Sequence, residues 1–124
     1  MQKIVLLALA GAAGTLSRYW LSGAVHAVVG RLFPWGTMVV NTLGCLLFGL
    51  FFVLGEERFA LRGETRTVVL VGFMGAFTTF SSLVFETDQY LREAQYGLAA
   101  LNLAGECVLG FAALYVGMVL GRII

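Results

Sequence analysis

The sequence predicts an all-α integral membrane protein of four transmembrane helices, the third of them broken mid-membrane. Three observations predict it. Of 124 residues, 60% are hydrophobic and 12% charged, with a mean hydropathy of +0.92, whereas soluble domains run at about 45–50% apolar and about 25% charged. Four apolar stretches are each long enough to cross a bilayer core, which takes roughly 20 residues of helix. One of them contains GFMGAFTTFSSLVFE, Gly72 to Glu86, with glycines and the hydroxyls of Thr78, Thr79, Ser81 and Ser82 where a plain lipid-facing helix would carry leucine. The net charge of +1 supplies no basic patch to neutralise phosphates, so a nucleic-acid partner is excluded.

The first span covers residues 4–29 and carries Arg18 and His26. Lys3 followed by an apolar run and Ala8–Ala10 has the outline of a signal peptide. Ile4 to Leu7 is too short for an h-region of about 7–15 residues, and the apolar pattern continues past it, so an uncleaved helix is expected. The second span, 35–54, follows Pro34, a residue suited to a helix start, and places Asn41 about two turns inside. The third, 67–91, has no charge before Glu86. The fourth, 96–121, has one inside it, Glu106. A turn near Gly30–Pro34, the charged loop GEERFALRGETR (Gly55 to Arg66) and a tight connection near Arg92–Gln95 join them. Residues 1–124 thus form a single four-helix membrane domain. Lys3, Arg58, Arg62, Arg66 and Arg122 fall on one side, with Arg31 and Arg92 on the other and Arg18 near it. That moderate excess favours termini and middle loop in the cytoplasm of a cell (inner) membrane, without excluding insertion both ways.

Glycines lie inside the spans, at Gly11 and Gly14, Gly44 and Gly49, Gly72 and Gly75, Gly105 and Gly110, and as GxxxG at Gly117 and Gly121. Small residues let helix backbones approach closely in lipid. Polar groups within the spans are costly unless covered, at roughly 2.5–3.5 kcal/mol for an ionisable side chain at a helix centre. Four short helices cover them only by packing against a further chain, most simply as a homodimer. Cys45 and Cys107 read as packing thiols and His26 as an interfacial residue. No nucleophile–base pair or metal-ligand spacing occurs, so no enzyme activity is expected.

On a continuous helix Thr79, Ser82 and Glu86 form one polar stripe, and Phe73, Phe77 and Phe80 an aromatic one beside it. Hydroxyls bonding back to the i−4 carbonyl are the plain structural alternative. Glycine followed by hydroxyl residues marks a place for the helix to break. Backbone freed at that depth is tolerated only where protein or a cavity satisfies it. Freed carbonyls at a break hold a cation such as Na+, while freed N–H groups, hydroxyls and amides hold an anion. A phenylalanine ring edge is positive, and Asn41 carries amide donors, which makes it a candidate ligand alongside helix–helix bonding.

GAAGTLSRYWLS, PWGTMVVNTLG and GFMGAFTTFSS together resemble the Fluc (CrcB-type) fluoride channel family over nearly the whole chain. The resemblance implies a passive, selective fluoride channel exporting the ion from the cytoplasm through two pathways of an antiparallel, dual-topology homodimer. It implies an anion pathway at Asn41, Phe80, Ser81, Ser82, Leu83 and Glu86. It also implies a structural Na+ at the dimer interface, held by backbone carbonyls of Gly75 and Thr78. Arg18 and Thr79 are further pathway or interface candidates.

Two positions depart from the family. Where it usually has a second pore phenylalanine, this chain has Leu83, which offers no positive ring edge, so weaker fluoride stabilisation is expected there. Glu106 stands where small or hydroxyl residues are more usual. It reads either as a neutral acid bonding across a helix interface or as a group beside the track that couples conduction to protons, with Arg18 as a pairing partner. Two alternatives follow: a proton-coupled fluoride transporter using Glu106, and one subunit of a heterodimeric channel.

Overall fold

The computed structural model describes residues 1–56 and 63–124. Arg58 and Arg62, counted in the charge asymmetry, and half of the charged loop lie outside the described residues. Among the described residues every regular element is helical: α1 (Gln2–Val29), α2 (Trp35–Glu56), α3 (Gly63–Thr67), a π-helical segment (Val68–Met74), α4 (Gly75–Phe77), α5 (Phe80–Arg92) and α6 (Tyr96–Ile123). Among the described residues four segments are long and apolar enough to cross a membrane: Gln2–Val29, Trp35–Glu56, Gly63–Arg92 and Tyr96–Ile123. Each contains the matching expected span.

The ends of these helices follow from local chemistry. Gly30, at φ 86°, ends α1, a left-handed conformation that glycine adopts without a Cβ clash. Pro34 immediately precedes α2, and its carbonyl accepts the N–H of Met38 at 3.1 Å, the first turn closing behind a residue that lacks an N–H of its own. The connection between α5 and α6 is three residues long, Glu93 to Gln95, and turns on Ala94 at φ 55°.

Packing is closest where side chains are absent. A Cβ on Gly49 would strike the Leu114 carbonyl, and one on Gly117 the Leu46 carbonyl, so α2 and α6 meet backbone to backbone. Gly14 of α1 lies in the same way on the Phe73 carbonyl of the π-helical segment. A small core of Val40, Met74 and Phe77 joins α2 to the third span. Much of the remaining apolar surface faces outward, including Leu9, Trp20, Phe85, Val108 and Phe111, as a chain surrounded by lipid or another copy requires. Cys107 is on that outer surface and Cys45 half-buried, so only Cys45 packs against its own chain as expected of both thiols.

Candidate functional site

The third span stops being helix at Thr78 and Thr79. Their dihedrals, −85°/159° and −148°/108°, are extended. The cause is a competition for one donor. In a continuous helix the N–H of Thr79 would bond the Gly75 carbonyl. Here it donates to Asn41 Oδ1 at 2.8 Å. Asn41 Nδ2 returns a bond to the Thr79 carbonyl at 3.1 Å, so one carboxamide takes both backbone groups of one residue, as a neighbouring strand would. Packing makes room for this, since a Cβ on Gly44, one turn below Asn41, would overlap the Thr78 methyl.

Past the break the chain restarts as a helix. Thr79 caps α5, its Oγ1 accepting the N–H of Ser82 at 3.2 Å, the usual use of a hydroxyl at that position. The same oxygen lies 2.9 Å from Ser82 Oγ and 3.3 Å from Ser81 Oγ. Three hydroxyls therefore gather at the start of α5, where first-turn N–H groups and the helix dipole favour negative charge. Phe80 stands beside them, 76% exposed. On the other side of the break, Arg18 Nη1 reaches the Thr78 carbonyl at 3.5 Å, and Thr78 Oγ1 bonds back to the Met74 carbonyl at 3.2 Å.

A groove of about 910 Å³ runs from this point toward the end of the span, lined by Arg18, His26, Thr37, Thr79, Ser82 and Glu86. Thr79, Ser82 and Glu86 share it as the sequence stripe foresaw. Thr37 Oγ1 donates to Glu86 Oε1 at 2.6 Å. The aromatic stripe does not survive as one: Phe73 and Phe77 stack at 5.9 Å, but the extended residues turn Phe80 away from them, because the 3.6-residue period is lost at the break. Leu83 is 6% exposed and packs inside its own chain.

Behind α5 lies a second polar row. Asn41 Nδ2 donates its other hydrogen to Glu106 Oε2 at 2.6 Å. Asn102, one turn earlier on α6, donates to Thr87 Oγ1 at 3.0 Å, and Thr87 donates to the Leu83 carbonyl at 2.8 Å. Asn102 is 0% and Glu106 6% exposed. Glu106 is thus joined to Asn41; Arg18, the partner suggested from sequence, is instead directed at Thr78. The helix-interface bond foreseen for Glu106 is present. Thr37, Thr87 and Asn102 escaped the sequence reading. Thr37 precedes Asn41, and Asn102 precedes Glu106, by four residues, so helical spacing carried the signal. His26 is half-buried, 3.1 Å from the Gly30 carbonyl through Nδ1. Among the described residues no cluster of His, Cys, Asp or Glu suited to a metal ion occurs.

Fold and site together define a multi-pass helical membrane protein that folds a polar clasp around a helix break. Residues 5–118 match the family described as CrcB-like protein, Camphor Resistance (CrcB), and the chain belongs to that family. It is 57% identical over 124 residues to the fluoride-specific ion channel FluC of Solidesulfovibrio magneticus, covering 100% of this chain and 99% of that protein. It is 54% identical over 123 residues to the protein of the same name from Nitrosococcus oceani, covering 99% and 98%. Against that of Desulforapulum autotrophicum it is 51% identical over 122 residues, covering 98% of each.

Proposed function

We propose that this chain is a fluoride channel subunit, passing the ion passively through a homodimer and performing no covalent chemistry. The observation that carries the reading is the break at Thr78–Thr79, where the N-terminus of α5, the hydroxyls of Thr79, Ser81 and Ser82 and the exposed Phe80 gather. Its full-length relatives are named fluoride-specific ion channels. Fluoride sheds water only where polar groups replace it in a passage too narrow for larger halides. Hydroxyls and a positive ring edge are such groups, and several weak contacts in series let the ion enter and leave. The break falls near the middle of Gly63–Arg92, so these contacts stand at mid-membrane depth in this reading.

Arg18, Ser82 and Glu86 line the groove of a single chain only half-buried. A second, antiparallel copy in the cell membrane would cover it and bring two such tracks together. Na+ fits the other half of the break. The Gly75 carbonyl has lost its helical donor to Asn41, and the Thr78 carbonyl, with two lone pairs, receives among the described residues only the 3.5 Å contact from Arg18. Oxygens at the negative end of a helix suit a hard cation. Gly75 and Thr78 of each copy would hold the ion, which would tie the two breaks together.

The test is fluoride efflux from liposomes containing only this protein, with chloride as control. Rapid fluoride efflux with little chloride is the expected result. Equal loss of both ions, or of neither, would overturn the reading.

A further inference from the structure

We propose that Glu106 is a positioning residue that keeps the third span broken, acting through Asn41. A carboxamide can face the break in two ways. As found, Oδ1 meets the Thr79 N–H, and the two hydrogens of Nδ2 meet the Thr79 carbonyl and Glu106 Oε2. Turned over, Nδ2 would face a donor, and Oδ1 would face the two acceptors. The Thr79 backbone alone prefers the first orientation, but it belongs to the segment that the amide must hold open. Glu106 belongs to α6, a continuous 28-residue helix packed backbone to backbone on α2, the helix that carries Asn41. It is an acceptor fixed independently of the break.

The environment of Glu106 supports this role. The residue is 6% exposed, and its Oε1 is buried without a hydrogen-bond partner among the described residues. Its contact with Asn41, at 2.6 Å, is therefore the polar interaction that accounts for an acid at this place. Its neighbour Asn102 is committed to Thr87. Without an acceptor at position 106 the amide loses its outside reference, the Thr79 N–H is free to return to the Gly75 carbonyl, and the helix closes over the polar cluster. The consequence for transport rests on the reading that the break forms the ion route; the positioning itself does not.

The experiment compares the full chain with Glu106→Leu, Glu106→Met and Glu106→Gln in liposomes. Glutamine keeps a carbonyl oxygen that accepts the same N–H, so it should conduct as the parent does, while loss of a buried bond should lower fluoride efflux about tenfold in the leucine and methionine variants. Methionine serves if leucine does not fold. In parallel, 15N-asparagine labelling reports the side-chain amides of Asn41 and Asn102, the chain's asparagines. The Asn41 signal should move in the leucine and methionine variants, stay in place with glutamine, and leave Asn102 unmoved. Parent-like efflux and spectra in the leucine or methionine variant, or a glutamine variant as impaired as these, would overturn the proposal. If the parent passes no fluoride, the channel reading fails, while the amide spectra still decide the positioning.

Discussion

Asn41 on α2 holds Thr79 by both of its backbone groups, accepting its N–H at 2.8 Å and donating to its carbonyl at 3.1 Å. The break in the third span is therefore imposed from another helix. Glycine makes the local sequence permissive, but a partner supplies the competing bonds.

Asn41→Leu should remove those bonds and let the third span close, abolishing measurable fluoride efflux. Asn41→Asp should do nearly as badly, since a carboxylate accepts the Thr79 N–H but faces the Thr79 carbonyl and Glu106 with oxygens. Liposome efflux with both variants checks this. Efflux at the parent rate with leucine would show that the clasp is dispensable.

Gly44→Ala should destabilise the fold by about 1–3 kcal/mol through overpacking, because the added methyl overlaps that of Thr78. Thr78→Ser removes the opposing methyl. The double variant should recover most of the lost thermal stability in detergent, which a general helix effect at position 44 would not produce. A Gly117→Ala variant should show no such side-chain rescue, since its added atom meets the Leu46 carbonyl.

Thr37→Val should cost about 1–3 kcal/mol, leaving both oxygens of Glu86 without protein partners; Oε2 already lacks one among the described residues. Thr37→Ser keeps the hydroxyl and should behave as the parent. Thermal melting of the three proteins side by side tests the bond, and fluoride efflux should fall in the valine variant alone.

Leu83→Phe places a ring where the family usually has one. The position is buried, so the larger side chain should lower stability by about 1–3 kcal/mol. Fluoride efflux should nevertheless rise if a second ring edge stabilises the ion. Unchanged efflux would show that this position does not limit transport.

The spans and the place of the break were legible in the sequence because both depend on local quantities. Apolar runs of bilayer length must be helices, since lipid satisfies no backbone group, and Pro34 and Gly30 mark ends through their own φ preferences. The polar stripe of Thr79, Ser82 and Glu86 survived because Ser82 and Glu86 lie four apart on α5 while Thr79 caps it. Phe80 parted from Phe73 and Phe77 because the helical period does not carry across two extended residues.

Composition and periodicity by themselves determined a four-span membrane chain with a weak point at Gly72–Ser82, since burial in lipid and helix geometry act on each segment alone. Only the tertiary structure decided what opens that point and which polar groups join. Asn41 meets Thr79 and Glu106, and Arg18 meets Thr78, across separations of 38 to 65 residues. Hydrogen bonds over such separations depend on how helices dock, and the docking is set by glycines whose missing side chains bring the backbones together.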